Sequence, residues 1–365
     1  MTRRHTLALA LMLAIAPAAA LAQNAPPKVP IDAAVRKTVI TELSTQLQAH
    51  YVFADVAQQV AASLAAKEAR GGYAAANDSE AFADALSNDL RTFGQDRHFR
   101  VGYAPDFKPE PAKGTPPDAK QAEAIRQEIT SRGYGIESVR RLPGNVGYLE
   151  VRGFGPTDIV APAMSAAMSL LSGTDALILD LRRNGGGDPA SVAWLMSHFF
   201  AAEDERHLND LYFREDDSTR QYWTNATVTT HYTRPVYVLT SARTFSGGEE
   251  CAYDFQTQKR ATLVGEVTGG GANPGDGYAI GGGFAAFIPN GRAINPITKA
   301  NWEHTGVKPD IATTAADAQK VAYAAILRAQ LAAEKDPEEQ GALKELIADV
   351  EAGKPEVPNY APPHR

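Results

Sequence analysis

A serine between a strand-like run and a helix-like run is the first candidate for chemistry in this sequence. Ser246 lies within Thr-Phe-Ser-Gly-Gly-Glu-Glu, residues 244–250, shortly after the β-like run 236–240. At a strand-to-helix turn a hydroxyl can be exposed, and the backbone N–H groups that follow have no helical partner. Earlier in the chain, the strand-like residues 177–181 run into the glycine-rich loop 184–187. A nucleophile and a loop of available amides are the parts that acyl transfer requires.

A serine hydroxyl becomes a useful nucleophile only when a base takes its proton, and histidine is the usual base. His98 lies where a helical region gives way to a strand-like run, and His304 adjoins Glu303 in a loop-to-strand pattern. His198 lies among apolar residues of a helical segment, which indicates a structural role. Spacing alone therefore leaves both His98 and His304 as candidate bases.

The glycines 185–187 have two interpretations. They can simply permit a tight turn after a strand, because glycine tolerates conformations that other residues avoid. Parallel strands of one sheet, however, end on the same side. Backbone N–H groups from this loop and from Gly247 could therefore meet at one oxyanion.

Residues 1–22 have a basic head, a short apolar run and a small-residue end at Ala22, which predicts a secretory signal. The apolar run is short for a membrane span, and no later segment is apolar enough to span a bilayer. Cleavage near Ala22 would give a periplasmic or secreted protein that is soluble. It would remove two arginines and shift the formal net charge from -7 to -9. An acidic, exported chain is a poor candidate for binding nucleic acid or an anionic membrane.

Cysteine and histidine usage argues against a disulfide or a bound metal. Cys251 is the only cysteine, so an internal disulfide and a cysteine metal cluster are excluded. No histidine and carboxylate cluster has the sequence spacing of a metal site, so neither a metal nor another cofactor is expected. The sequence carries no signal for an oligomeric state.

Periodicity divides the chain into a helical region and an alternating region. Apolar residues recur at helical spacing in residues 31–49, 54–69 and 79–93, which predicts a small bundle. From residue 136 helical and strand-like segments alternate, which is typical of an α/β layer architecture. The turn Pro143-Gly144-Asn145, between two strand-like runs, predicts a hairpin at the start of this region. The predicted units are a signal peptide (1–22), a helical domain (28–103), a linker and helix (104–135), a core (136–335) and a C-terminal helix and tail (336–365).

Three motifs in this order give the sequence a family resemblance. The sequence resembles the tail-specific (C-terminal processing) serine peptidase family in residues 179–187, 244–250 and 265–271. The resemblance is closer to the branch that contains interphotoreceptor retinoid-binding protein and the tricorn core. The resemblance implies a crotonase/ClpP-like α/β core of β-β-α units behind a helical N-terminal bundle. It also implies Ser246 as the nucleophile, with the N–H groups of Gly247 and Gly186 as the oxyanion hole.

The resemblance also bears on the base. Bacterial tail-specific members use a Ser-Lys dyad, and the place of that lysine falls here in the glycines 269–271. Tricorn-like members instead take a histidine from a segment before the core and a glutamate from a segment similar to W-E-x-x-G-V-x-P-D. His98 and Glu303 match these two positions, which decides the choice in favour of His98. Arg97 departs from the pattern, because tricorn has a serine beside its histidine, and the coupling of His98 to Glu303 stays open.

The sequence thus predicts an exported serine peptidase that hydrolyses peptide bonds of peptides or unfolded proteins by a Ser-His-Glu mechanism. A PDZ domain is not expected, since residues 104–135 leave too little room for one. One alternative is a non-catalytic carrier of hydrophobic ligands on the same fold, in which Ser246 would only cap a helix. Another is an esterase, although the G-x-S-x-G elbow is absent because Thr244 replaces its first glycine.

Overall fold

The computed structural model of the protein describes residues 28–108 and 118–354. The predicted signal peptide, part of the predicted linker and nearly all of the predicted C-terminal tail lie outside these residues. In the described part of the chain, no helix combines the length and the apolar character needed to cross a bilayer.

The described residues form helices and strands that alternate through most of the chain. The helices are α1 (Ala33–His50), α2 (Ala54–Ala69), α3 (Ser79–Gly94), α4 (Ala119–Ser131), α5 (Thr157–Leu171), α6 (Pro189–Ser197), α7 (Gly247–Thr257), α8 (Ala318–Ala333) and α9 (Pro337–Glu351). The strands are β1 (Arg100–Tyr103), β2 (Ile136–Leu142), β3 (Val146–Val151), β4 (Ala176–Asp180), β5 (His207–Phe213), β6 (Ser218–Trp223), β7 (Val236–Thr240), β8 (Thr262–Gly265), β9 (Gly275–Ala279), β10 (Phe284–Pro289), β11 (Gly291–Ile294) and β12 (Ile311–Ala312).

A six-stranded mixed sheet forms the centre of the α/β core, in the order β12-β8-β7-β4-β3-β2. Its neighbours pair in parallel except β2 and β3, which form the predicted antiparallel hairpin. Alternate residues of the central strands face opposite ways, so α5, α6 and α7 cover one face and α8 and α9 the other. The α/β fold class predicted from the sequence is confirmed.

A second, three-stranded sheet of order β11-β5-β6 was not predicted from the sequence. The strand β6 consists of Ser-Thr-Arg-Gln-Tyr-Trp, and its residues are half-buried or exposed. The alternation of apolar and polar residues that reveals a half-buried strand is therefore missing from β6.

The N-terminal helices are joined to the core by a shared sheet of order β1-β10-β9. The carboxylates of Asp32 and Asp78 cap α1 and α3 by accepting backbone N–H groups at 2.8 and 2.9 Å. Strand β1 follows the bundle and pairs antiparallel with β10 of the core, with Val101 opposite Ala286. The segment that carries His98 lies between α3 and β1 and is thereby held against the core.

Candidate active site

Ser246 lies at a sharp turn between β7 and α7. Its φ of 51° and ψ of -122° lie in a region that residues with a Cβ rarely adopt. Such a conformation persists only where the surroundings hold it, and it is common at functional sites. The serine is half-buried, and it lines a small cavity.

Hydrogen bonds from the neighbouring strand hold this turn in place. The Thr244 Oγ1 donates to the Leu181 carbonyl at 2.8 Å, and the Phe245 N–H donates to the Asn184 carbonyl at 3.0 Å. Because β4 and β7 are parallel neighbours, the turn after β7 and the glycine loop after β4 meet at one edge of the sheet. The proximity predicted for these two motifs is therefore present.

The glycine loop contributes one available amide beside Ser246. The Gly186 N–H already donates to the Asn184 Oδ1 at 2.8 Å. The N–H groups of Gly187 and Gly247, by contrast, donate to no acceptor within the described residues. A Cβ built on Gly247 would lie 3.0 Å from the Gly187 nitrogen, so these two residues are in close contact. Two unpaired amides thus lie together next to the serine.

His98 packs against the turn that carries Ser246. Helix α3 ends in a left-handed residue, Gln95, and the chain then places the His98 ring 4.5 Å from the Phe245 ring. The His98 side chain is only 9% exposed, and neither ring nitrogen has a hydrogen-bond partner among the described residues. The imidazole therefore packs against the residue that precedes Ser246, without a hydrogen bond to the Ser246 hydroxyl. In the absence of substrate, catalytic hydrogen bonds are often long and tighten later.

Two carboxyl groups face His98, and only that of Glu303 was predicted from the sequence. Asp96 is fully buried, and its Oδ1 lies 3.5 Å from the His98 Nδ1. The Asp96 carboxylate also accepts hydrogen bonds from Asn273 at 2.9 Å and from Tyr51 at 3.4 Å. The Asp-x-His spacing was the available signal, but a neighbouring aspartate is too common to stand out.

Glu303 completes this group. Three donor atoms, one each from Asp96, His98 and Glu303, lie within 4.8 Å of one another. Such a set could also hold a divalent cation, and the spacing of these residues in the sequence did not reveal it. The Glu303 Oε2 accepts the Ala272 N–H at 2.5 Å, whereas its buried Oε1 has no hydrogen-bond partner in the described chain and lies 3.7 Å from the His304 Nδ1. Burial, together with the nearby Asp96, raises the pKa of Glu303 to about 8. His304, the other candidate base, has a 58% exposed side chain.

Arg97 links the bundle to the glycine-rich segment that borders the site. Its guanidinium donates to the Gly269 carbonyl at 2.5 Å and lies 5.8 Å from the centre of the Phe245 ring. Arg97 therefore attaches the segment of His98 to the core. It does not provide the hydroxyl group that a serine at this position would offer to the histidine.

The Glu249 carboxylate joins the turn at Ser246 to the glycine-rich segment 268–271. This fully buried carboxylate accepts hydrogen bonds from four donors. These are the N–H groups of Ser246 at 3.0 Å, Gly270 at 2.6 Å and Gly271 at 2.8 Å, and the Thr268 hydroxyl at 2.5 Å. Burial raises the pKa of Glu249, although these hydrogen bonds oppose the rise. The sequence left two interpretations of the pair Glu249 and Glu250: recognition of a positively charged group and, preferred, favourable charge in a helix's first turn.

The role of Cys251, which the sequence left open, is that of a core residue. It is fully buried in the apolar cluster beneath the central sheet, and burial raises the pKa of its thiol. A protonated, inaccessible thiol is unreactive.

Two family matches identify the class of protein. Residues 145–313 match peptidase family S41, and residues 31–134 match the N-terminal domain of peptidase family S41 in eukaryotic IRBP. Together the two matches span most of the chain. The chain therefore belongs to peptidase family S41 and is a serine peptidase of the tail-specific type.

Solved structures share the fold at low sequence identity. Mature CPAF complexed with lactacystin has a TM-score of 0.54 at 13% identity, covering 88% of this chain and 100% of that one. A candidate peptidase from Parabacteroides merdae has a TM-score of 0.53 at 17% identity, covering 77% and 90%. The tricorn protease has a TM-score of 0.50 at 14% identity, covering 87% of this chain and 37% of that one. At these identities the likeness establishes the fold alone.

Proposed function

We propose that this peptidase hydrolyses peptide bonds with Ser246 as nucleophile and His98 as general base. The observation that carries the proposal is the strained turn at Ser246, which lies beside two unpaired amides and against the buried His98 ring. A nucleophile, a base and oxyanion donors are the three components of serine acyl transfer. The substrates are peptides or unfolded proteins.

The reaction proceeds in two halves. The Ser246 Oγ attacks the scissile carbonyl carbon while His98 takes the hydroxyl proton, and the resulting oxyanion accepts hydrogen bonds from Gly187 and Gly247. His98 then gives this proton to the leaving amine as the C–N bond breaks, leaving an acyl-enzyme. Water attacks the ester in the second half, again through His98, and releases the acid and the free serine. Gly187 replaces the predicted Gly186 here, because the Gly186 N–H is occupied by Asn184.

Both Asp96 and Glu303 contribute to His98 in this proposal. A carboxylate near the His98 Nδ1 would orient the ring and stabilise the imidazolium. Asp96 is the better placed for orientation, because its Oδ1 is 3.5 Å from that nitrogen. Glu303, with its pKa raised to about 8, is mostly protonated at neutral pH and stabilises the imidazolium only in the fraction of molecules in which it is ionised.

The first experiment tests the nucleophile. Ser246→Ala should lose peptide hydrolysis and labelling by a fluorophosphonate probe while its thermal unfolding stays unchanged. Ser241→Ala, a change of the same kind after β7, controls for the loss of a hydroxyl near the turn. Equal labelling of wild type and Ser246→Ala would refute the assignment.

The second experiment separates the two carboxyl groups. Asp96→Asn should lower kcat by about 10²-fold or more, because an orienting carboxylate is lost. Glu303→Gln should lower kcat less at pH 6, where the wild-type group is protonated, and more at pH 9, where it is ionised. Full pH–rate profiles of both variants check this difference. Profiles that fall in parallel at all pH values would contradict the distinct roles.

The alternative functions have less support. The cavity beside Ser246 measures about 60 Å³. A ligand pocket for a drug-sized molecule usually measures about 300–1,000 Å³, so this cavity is too small for a carried hydrophobic ligand of that size. Esterase action would use the same groups. Turnover of matched ester and peptide substrates separates it from peptidase action, since peptide hydrolysis at a negligible rate would favour the esterase.

We also propose that the protein is exported and that its leader is removed near Ala22. The support is the basic head, apolar run and small-residue end of residues 1–22. N-terminal sequencing of the protein from the periplasm or culture medium should begin at or near Gln23. An intact Met1 on a protein confined to the cytoplasm would overturn this part of the proposal.

A further inference from the structure

The cavity beside Ser246 combines apolar walls with one carboxyl group. It measures about 60 Å³, and Glu250 is the ionisable residue among the described residues that line it. The apolar walls come from Leu211, Ala272, Ala293 and Trp302. Because Ser246 and its neighbouring glycines also line the cavity, whatever occupies it lies next to the reacting carbonyl.

Glu250 and the residues behind it have buried polar atoms without partners. Glu250 is 3% exposed, and its Oε1 makes no hydrogen bond with any described residue. Asp254 lies one turn further along α7, and neither of its buried carboxyl oxygens is paired in the described chain. The buried Asn209 amide on β5 contacts the Glu250 carboxyl group, but not within ordinary hydrogen-bond geometry. Buried polar groups are nearly always paired, so a cluster of unpaired ones beside a nucleophile points to a missing ligand.

The charge around this cluster indicates the sign of that ligand. Burial raises the pKa of Glu250 to about 8. The Asn209 amide opposes this rise, and the Asp188 carboxylate adds to it. Burial and the neighbouring Glu250 raise the pKa of Asp254 as well. An anionic ligand would worsen this repulsion, and an apolar one would leave the carboxyl groups unpaired. A cation would pair with Glu250 and favour its ionised form.

We propose that this cavity binds the side chain of a substrate lysine adjacent to the scissile bond, with Glu250 pairing with the ammonium group. This inference rests on the proposed function, because it takes Ser246 as the reacting group. A water molecule needs about 10–15 Å³ of such space, so the cavity has room for the four heavy atoms of lysine beyond Cβ. The apolar walls suit its methylene groups, as in other sites where a long cationic side chain buries its stem.

Internally quenched peptides test the inference directly. Three peptides of otherwise identical sequence carry lysine, norleucine or acetyl-lysine at one central position, and mass spectrometry of the products locates the cut. Norleucine keeps the linear stem without the charge, and acetyl-lysine removes the charge and adds bulk. The wild-type kcat/KM should be about 10- to 100-fold higher for the lysine peptide than for the norleucine and acetyl-lysine peptides. This is the range expected for a hydrogen bond to a charged group.

Two variants assign the preference to Glu250. Glu250→Gln should reduce the ratio of lysine to norleucine cleavage to within about threefold of unity, since the neutral amide cannot pair with a charge. Glu203→Gln, on the exposed loop between α6 and β5, should keep the wild-type ratio. Fluorophosphonate labelling and thermal unfolding of each variant report a folded site.

The outcomes separate this inference from the proposed function. Norleucine cleaved as fast as lysine by wild type would overturn the inference even if no variant folds, and so would a folded Glu250→Gln that keeps the lysine preference. Either result leaves peptide hydrolysis by Ser246 standing. Hydrolysis of the lysine peptide by Ser246→Ala at the wild-type rate would instead overturn the proposed function.

Discussion

Glu249 and Glu250 are consecutive residues of α7 next to the Ser246 turn, yet their carboxyl groups differ in the hydrogen-bond partners that surround them. Glu249 accepts hydrogen bonds from four donors and fastens the segment 268–271 to the turn. Glu250 faces the cavity with an unpaired oxygen, and the unpaired Asp254 lies behind it. Both carboxyl groups are buried, so burial alone does not distinguish their roles.

The difference between them is whether the protein itself supplies the partners. A carboxylate whose oxygens are fully used by the fold stabilises the fold. A carboxyl group left unpaired destabilises it unless a ligand supplies the partner. We therefore assign Glu249 to the architecture of the site and Glu250 to substrate binding. Three variants challenge this assignment, in order of decreasing expected effect.

Glu249→Ala should have the largest effect. Removing the carboxylate leaves four buried donors without an acceptor, and breaking a buried charged network costs about 3–5 kcal/mol. Urea unfolding should show this loss, together with loss of fluorophosphonate labelling. The exposed Glu203→Ala should stay within about 0.5 kcal/mol of wild type. A stability of Glu249→Ala close to that of wild type would remove Glu249 from the architecture of the site.

Gly271→Ala should have an intermediate effect that is mainly on activity. The Gly271 N–H is held by Glu249, and a Cβ at this position would lie 2.7 Å from the His98 Cε1 and overlap the Phe245 ring. Displacing the base by such a small amount should lower kcat/KM by about 10²-fold.

Gly341→Ala on the exposed face of α9 is the matched control for Gly271→Ala. A Cβ there meets nothing within 4 Å, so activity should be unchanged. Folded Gly271→Ala with wild-type kinetics would show that the His98 position does not depend on this glycine.

Glu250→Gln should have the smallest effect on stability, and that effect should depend on pH. The pKa of Glu250 is raised from 4.5 to about 8 in the folded state. Below pH 4.5 the carboxyl group is protonated whether the chain is folded or not, and its contribution to stability is complete. As the pH rises towards 8, the unfolded chain releases this proton first, and the wild-type protein loses stability.

The amide that Glu250→Gln introduces cannot ionise, so the variant should match the stability of wild type at pH 4 and be more stable than wild type at pH 8. Thermal and urea unfolding at both pH values check this expectation. A stability difference that does not change with pH would mean that Glu250 is ionised and satisfied in the folded protein.

Much of the fold followed from local signals in the sequence. The three N-terminal helices were predicted from apolar periodicity, and the hairpin of β2 and β3 from the Pro143-Gly144-Asn145 turn. The strands β5, β6 and β11 were missed, because their sheet is partly exposed and its sequence pattern weak. The signal peptide, the domain limits and the roles of Ser246, His98 and Glu303 stay predictions for experiment.

The sequence by itself identified the family and predicted the turn at Ser246, because a serine between a strand and a helix is specified by residues that are neighbours in the chain. Tertiary structure decided the partners of that turn. Sheet pairing of β1 with β10 brings His98 to it, packing places Asp96 beside the imidazole, and the direction of two adjacent side chains separates Glu249 from Glu250. The pairing of β1 with β10 joins residues far apart in sequence, and the other two features depend on side-chain directions that packing sets, so no local pattern specifies them.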